Sequence, residues 1–127
     1  MIDHVSLKTS DHPASRRFYE KALAPLGYEV VMEFEDGQVV GMGIAGKPDF
    51  WISPGESSAP IHLAFSASDR ASVDGFHGAA LAAGGKDNGG PGLRSEYHPG
   101  YYAAFAYDPD GNNVEAVFHD PSEMKKK

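Results

Sequence analysis

The sequence predicts an α+β fold of two tandem βαβββ modules with a curved mixed sheet. Helices would cover the convex face, and the concave face would be left as a metal or ligand cleft. Three observations predict it. Short apolar and polar runs alternate between turns rich in Gly, Pro and Asp. Two stretches instead carry helical spacing. The pattern of the first half also recurs in the second at a fixed offset.

Residues 2–9 alternate as a strand, with Val5 and Leu7 on one face and His4, Ser6 and Lys8 on the other. Ser10 and Asp11 offer an N-cap, and Pro13 is tolerated in a first helical turn. Residues 13–24 then read as a helix, with Ala14, Phe18 and Ala22 in register and Tyr19 and Leu23 widening the stripe. Pro25 and Gly27 end it. Residues 28–35, 39–44 and 49–53 read as three strands, the first two a hairpin turned at Asp36-Gly37. Residues 54–60, flanked by Pro54 and Pro60, read as a linker.

After the linker the pattern starts again. Residues 61–66 form a strand, and Ser68-Asp69 a second cap. A helix runs to about Ala83 with Val73, Phe76, Ala80 and Leu81 on one stripe, ending at Gly84-Gly85. Gly75 and Gly78 weaken this helix by about 1 kcal/mol each relative to Ala. His4 and His62 lie 58 positions apart, as do Ser10 and Ser68, Asp11 and Asp69, Phe18 and Phe76, Leu23 and Leu81, and Gly27 and Gly85. Ungapped matches in equivalent roles indicate a duplicated βαβββ unit. The second unit continues with a loop-rich stretch, 86–99, then strands at 101–107 and 113–119. Module one covers about 1–53, the linker 54–60, module two about 61–120 and a tail 121–127.

Composition bounds the partners. The 127 residues suit one domain with one core. A net charge of -7 argues against nucleic acid, which needs a basic face. The one basic cluster, Lys125 to Lys127, reads as a solvated tail. No cysteine is present, so any metal must sit on nitrogen and oxygen ligands. No apolar run approaches the roughly 20 residues of a membrane span, and the N-terminus has no leader pattern, so a cytoplasmic protein is expected.

The candidate site follows from strand parity. At 108–111, Asp108-Pro109-Asp110-Gly111 is a strong turn. Beyond it Val114, Ala116 and Phe118 share one face, leaving Glu115 as a lone acid on the other. His4 and His62 point to the same concave side, and a pseudo-twofold axis between the modules would bring them together. Two imidazoles and one carboxylate suit a divalent ion such as Fe(II), Mn(II), Zn(II), Ni(II) or Co(II), with open positions for substrate. The plainer alternative is two strand histidines and an edge acid. Phe50-Trp51-Ile52 is the first-half counterpart of Val114-Glu115-Ala116, at an offset of 64. A hairpin loop over 108–112 pairs Phe105 with Glu115 and puts Tyr101 on the same face. A loop one residue shorter would present Tyr102 and Ala104 instead; the longer loop is adopted. Arg94 is the best placed cation for a substrate anion, or else a loop arginine in water. His98 lies in an aromatic stretch beside Tyr97 and can reach a pocket. His12, His77 and His119 read as solvent-facing.

His4, His62 and the run from Asp108 to Glu115, with the helix start at Ser10-Asp11 and the stretch 87–105, carry a resemblance over residues 2–120. The chain resembles the vicinal oxygen chelate superfamily, which includes glyoxalase I, extradiol dioxygenases, fosfomycin-resistance transferases and bleomycin-resistance proteins. The resemblance implies one divalent metal ion on His4, His62 and Glu115, and a small oxygen-chelating substrate. It also implies a homodimer. Glyoxalase I carries a fourth ligand, a Glu, where this chain has Trp51. The remaining set is more like the three-ligand sites of dioxygenases and transferases. The reactions implied are glyoxalase-like lyase or isomerase chemistry through an enolate or oxyanion, or extradiol-type oxygenation. A metal-free drug binder of the bleomycin-resistance type is the third possibility. Glu115 and His98 are the candidate proton-transfer groups. Trp51, Arg94, Tyr97, Tyr101 and Phe105 are the candidate pocket wall.

Overall fold

Eight strands among the described residues form two four-stranded sheets, each with the order and directions expected of a βαβββ unit. The computed structural model describes residues 1–57 and 59–124. The expected solvated tail at Lys125 to Lys127 lies outside them. In the first module β1 (Val5–Thr9) runs into α1 (His12–Leu23), then β2 (Glu29–Phe34), β3 (Val39–Ile44) and β4 (Lys47–Pro54). The second module repeats this with β5 (His62–Ser66), α2 (Arg70–Ala82), β6 (Lys86–Leu93), β7 (Tyr101–Tyr107) and β8 (Asn113–His119). A short helix, α3 (Pro121–Met124), follows. The sheet orders are β1-β4-β3-β2 and β5-β8-β7-β6. β1 is parallel to β4, and β5 to β8, while the other pairs are antiparallel. No described helix is long and apolar enough to cross a membrane.

Both helices start on an aspartate cap. Asp11 accepts from the Ala14 amide at 3.2 Å and Asp69 from the Ser72 amide at 2.7 Å, satisfying donors that a helix start leaves unpaired. α1 ends through a 3-10 turn, Ala24–Leu26, that Gly27 closes at φ 93°. The apolar stripes then meet in one core. Phe18, Tyr19, Ala22 and Leu23 of α1 and Val73, Phe76 and Ala80 of α2 are buried with Leu7, Phe50, Ile52, Phe65, Val114 and Ala116 from the strands. Leu81, expected on the α2 stripe, lies at its edge and stays exposed. Tyr19, Phe50 and Phe65 pack edge to face, with ring centroids 4.8 and 5.3 Å apart. Each fully buried aromatic or aliphatic side chain here contributes roughly 1.5–3 kcal/mol.

The turn before β8 is a small polar core of its own. The Asp108 carboxylate is buried. It accepts from the Asp110 and Asn112 amides at 2.9 and 2.8 Å, the Asn112 side chain at 2.9 Å and the Tyr19 hydroxyl at 2.5 Å. Burial first, and Asp108 second, push the Tyr19 phenol well above its ordinary pKa, so it stays a donor. Asn112 also accepts from the Ile61 amide at 2.9 Å, and Asp110 from the Ser10 amide and hydroxyl. The turn therefore ties β8 to α1, to the start of β5 and to the β1–α1 loop.

Three further sequence expectations change. Residues 86–93, read as loop, are β6. Its Gly-rich composition hides a strand that pairs with β7 through two register shifts, and Pro91 falls in one of them, where no ladder donor is needed. His12, read as solvated, is buried, and its Nε2 donates to the Gly37 carbonyl at 2.9 Å, holding the β2–β3 turn to α1. His77 is largely covered, and its Nε2 donates to Asp87 at 2.9 Å.

Candidate functional site

The sheet registers align the two halves of the repeat. Ser6 lies beside Trp51 in the first sheet, as Ala64 lies beside Glu115 in the second. Gly41 opposes Trp51 across β3, as Phe105 opposes Glu115 across β7. The five-residue turn over 108–112 produces the second pairing, so Tyr101, Ala103 and Phe105 share the face of Glu115, Val117 and His119. Ala103, Phe105, Val117 and Tyr101 form a second apolar cluster on that face, away from the main core.

Glu115 is the centre of this face. It is only 1% exposed, unusual for a carboxylate. Its Oε1 accepts from His62 Nε2 at 2.6 Å, and its Oε2 accepts from the Tyr101 hydroxyl. No lysine or arginine among the described residues pairs with it. The Tyr101 ring is held edge-on between Tyr97 and His119, with centroids 5.2 and 5.3 Å away. Burial, then the bond to Glu115, push the Tyr101 phenol above its usual pKa, so it donates throughout the neutral range. Phe105 is buried against the acid, its ring 6.2 Å from that of His62.

Arg94 lies over Phe105, its guanidinium carbon 5.3 Å from the ring centroid. Its Nη1 and Nη2 donate to the Gly92 and Gly90 carbonyls at 3.0 and 2.8 Å, so the cation is held on the irregular part of β6. His98 is exposed, and its Nδ1 donates to the Pro99 carbonyl at 2.8 Å. Its ring meets His119 at 6.1 Å, one ring further out than Tyr101, so His98 stands on the rim and makes no bond to Glu115.

His4 lies elsewhere. It precedes β1, where it is exposed and bonded through Nδ1 to Asp3 at 2.7 Å. It lines a cleft of about 470 Å³ together with Ser6, Phe34, Val39 and Trp51. Among the described residues, no three His, Asp or Glu side chains converge to hold a metal. The structure therefore does not bring His4 to His62 and Glu115 within one chain. The reason is in the packing. α1 packs on α2 and the inner faces of both sheets enter one core, so each outer face, with its half of the set, points away from that core.

The first sheet's outer face is aromatic. Trp51 lies flat over Gly41, where a Cβ would come within 2.7 Å of the indole. Phe34 lies parallel to it, at 6.0 Å and 11°. Phe34, Gly41 and His119 escaped the sequence reading of the site. The 64-residue offset that maps Trp51 to Glu115 also maps Gly41 to Phe105, and it was the available signal for Gly41.

Known proteins place these features in context. A family model described as Glyoxalase/Bleomycin resistance protein/Dioxygenase superfamily matches residues 1–116. The chain is 31% identical over 135 residues to the uncharacterized protein YqjT of Bacillus subtilis, covering 91% of this chain and 97% of that one. A glyoxalase/bleomycin resistance protein from Albidiferax ferrireducens is 27% identical with a TM-score of 0.76, over 91% of this chain and 96% of that one. Lactoylglutathione lyase from Agrobacterium tumefaciens shares the fold, with a TM-score of 0.65 at 21% identity over 93% and 92% of the two chains.

Proposed function

Because the chain belongs to the Glyoxalase/Bleomycin resistance protein/Dioxygenase superfamily, we propose that it is a metal-dependent enzyme acting on a small oxygen-chelating substrate. The observation that carries this reading is Glu115. A buried carboxylate costs several kcal/mol unless its charge is answered, and here two hydrogen bonds answer it without a lysine or arginine. The nitrogen and oxygen joined in the His62–Glu115 hydrogen bond are the donor types that a divalent ion of the Fe, Mn, Zn, Ni or Co kind takes when it replaces the shared proton. His62 and Glu115 would hold it, with His4 supplied by a second copy of the chain in a homodimer. Bound there, such an ion supplies Lewis-acid stabilisation of negative charge on adjacent substrate oxygens.

The chain's own residues do the rest. Glu115 is the carboxylate placed to accept and return a proton, in lyase or isomerase chemistry through an enolate or oxyanion. Phe105 and the Trp51–Phe34 face exclude water from the bound substrate. Arg94 sits beside Phe105, within reach of an anionic group on the substrate. His98 on the rim is a second proton-transfer group, entering on substrate binding. Trp51 stands where glyoxalase I has its fourth ligand, so oxygenation of a catechol remains the alternative chemistry. The exposed Phe34, stacked on a half-buried Trp51, favours a second reading, a metal-free binder of the bleomycin-resistance type.

Elemental analysis of protein purified without chelator separates these readings. The enzyme reading expects a bound divalent ion that is lost in His62→Ala. A folded wild-type protein that takes up no divalent ion leaves the binder. Parallel assays with a hemithioacetal and, under Fe(II), a catechol then divide isomerase from oxygenase.

A further inference from the structure

We propose that Tyr101 is a positioning residue for Glu115, fixing which of its two oxygens faces the candidate metal centre. This inference rests on the proposed metal site and assigns a role within it. The Tyr101 hydroxyl occupies Oε2, while Oε1 lies 2.6 Å from His62 Nε2. The phenol is oriented by ring contacts on two sides, to Tyr97 and His119 at 5.2 and 5.3 Å. A carboxylate so held presents one oxygen, on the His62 side, rather than both. It would bind a cation through a single oxygen and leave a further position open for substrate. Partners of this kind behind a ligand typically govern metal affinity 10–100-fold.

The pattern is asymmetric within the repeat, which argues for a role beyond the shared fold. Trp51, at the position equivalent to Glu115, needs no such partner and lies instead against Gly41. On the same strand, Tyr102 makes a phenol–carboxylate bond of its own, to Asp74 at 2.6 Å, but on the opposite face. Tyr102 is thus an internal control, equal in chemistry and unconnected to the site.

The test is a titration of wild type, Tyr101→Phe and Tyr102→Phe with Co(II), followed by its visible absorption. Tyr101→Phe is expected to lower Co(II) affinity about 10–100-fold and to change the absorption band, because Glu115 is released to turn its second oxygen inward. Tyr102→Phe is expected to change neither. Equal affinity and spectrum in wild type and Tyr101→Phe would overturn the positioning role while leaving the metal centre intact, as would an equal loss in Tyr102→Phe. A folded wild type that binds no Co(II) would overturn the metal centre, and the role of Tyr101 with it.

Discussion

Trp51 and Glu115 hold the same position of the two sheets, each one strand in from the edge and each beside the residue that lies two after a histidine. One is an indole over a glycine and the other a carboxylate against a phenylalanine. The duplicated unit thus offers an aromatic half and a carboxylate half on separate outward faces.

The indole position depends on Gly41. A methyl there would fall 2.7 Å from two ring atoms, so Gly41→Ala must move the ring off the sheet. Trp51 is the chain's single tryptophan, so its fluorescence reports this alone. The expected result is a red-shifted emission with a stability loss of about 1–3 kcal/mol in urea. Unchanged emission would show that the ring has room to spare.

Asp108 should matter more than its surface-loop composition suggests. Tyr19→Phe removes one of its donors and should cost about 1–3 kcal/mol. Asp108→Ala strands Tyr19, the Asn112 side chain and two amides together. It should therefore cost clearly more than Tyr19→Phe in urea denaturation. Equal losses would mean that water replaces the carboxylate at little cost.

Most of the fold was legible because strand parity and cap chemistry are local. The alternation from Val114 to Phe118 and the turn at Asp108 narrowed the register to two loop lengths, and the adopted, longer one is the one that sets Phe105 opposite Glu115. The place of His4 relative to His62 was not legible. It depends on how α1 packs on α2, which is set by the fit of Phe18, Tyr19 and Phe76 in a shared core and leaves no periodicity in the sequence. β6 was hidden because Gly89, Gly90, Pro91 and Gly92 read as loop, although bulges admit all of them to a strand. His12 and His77 were misread because nothing near them in sequence announces Gly37 or Asp87 as partners.

Asp120 gives a pH signature. It receives the Ser122 hydroxyl at 2.6 Å and Arg70 at 2.7 Å, and these bonds, Ser122 first, hold its carboxyl below the usual range. A depressed folded pKa means that its contribution is complete above the unfolded value of about 3.9 and is lost as pH falls through the folded value. Wild type should exceed Asp120→Asn in melting temperature at neutral pH, and the gap should close on acidification below about pH 4. A gap that widens in acid would reverse the sign.

The proposal that two half-sites join across a homodimer is tested by mixing His4→Ala and Glu115→Gln chains, refolding them together and measuring bound divalent metal. Each variant alone should bind none or little. In the mixed dimer one site inherits both lesions and the other is intact, so the mixture should recover metal binding. If the mixture stays as empty as either variant, while wild type refolded in the same way binds metal, His4 does not complete the His62–Glu115 site from a second chain.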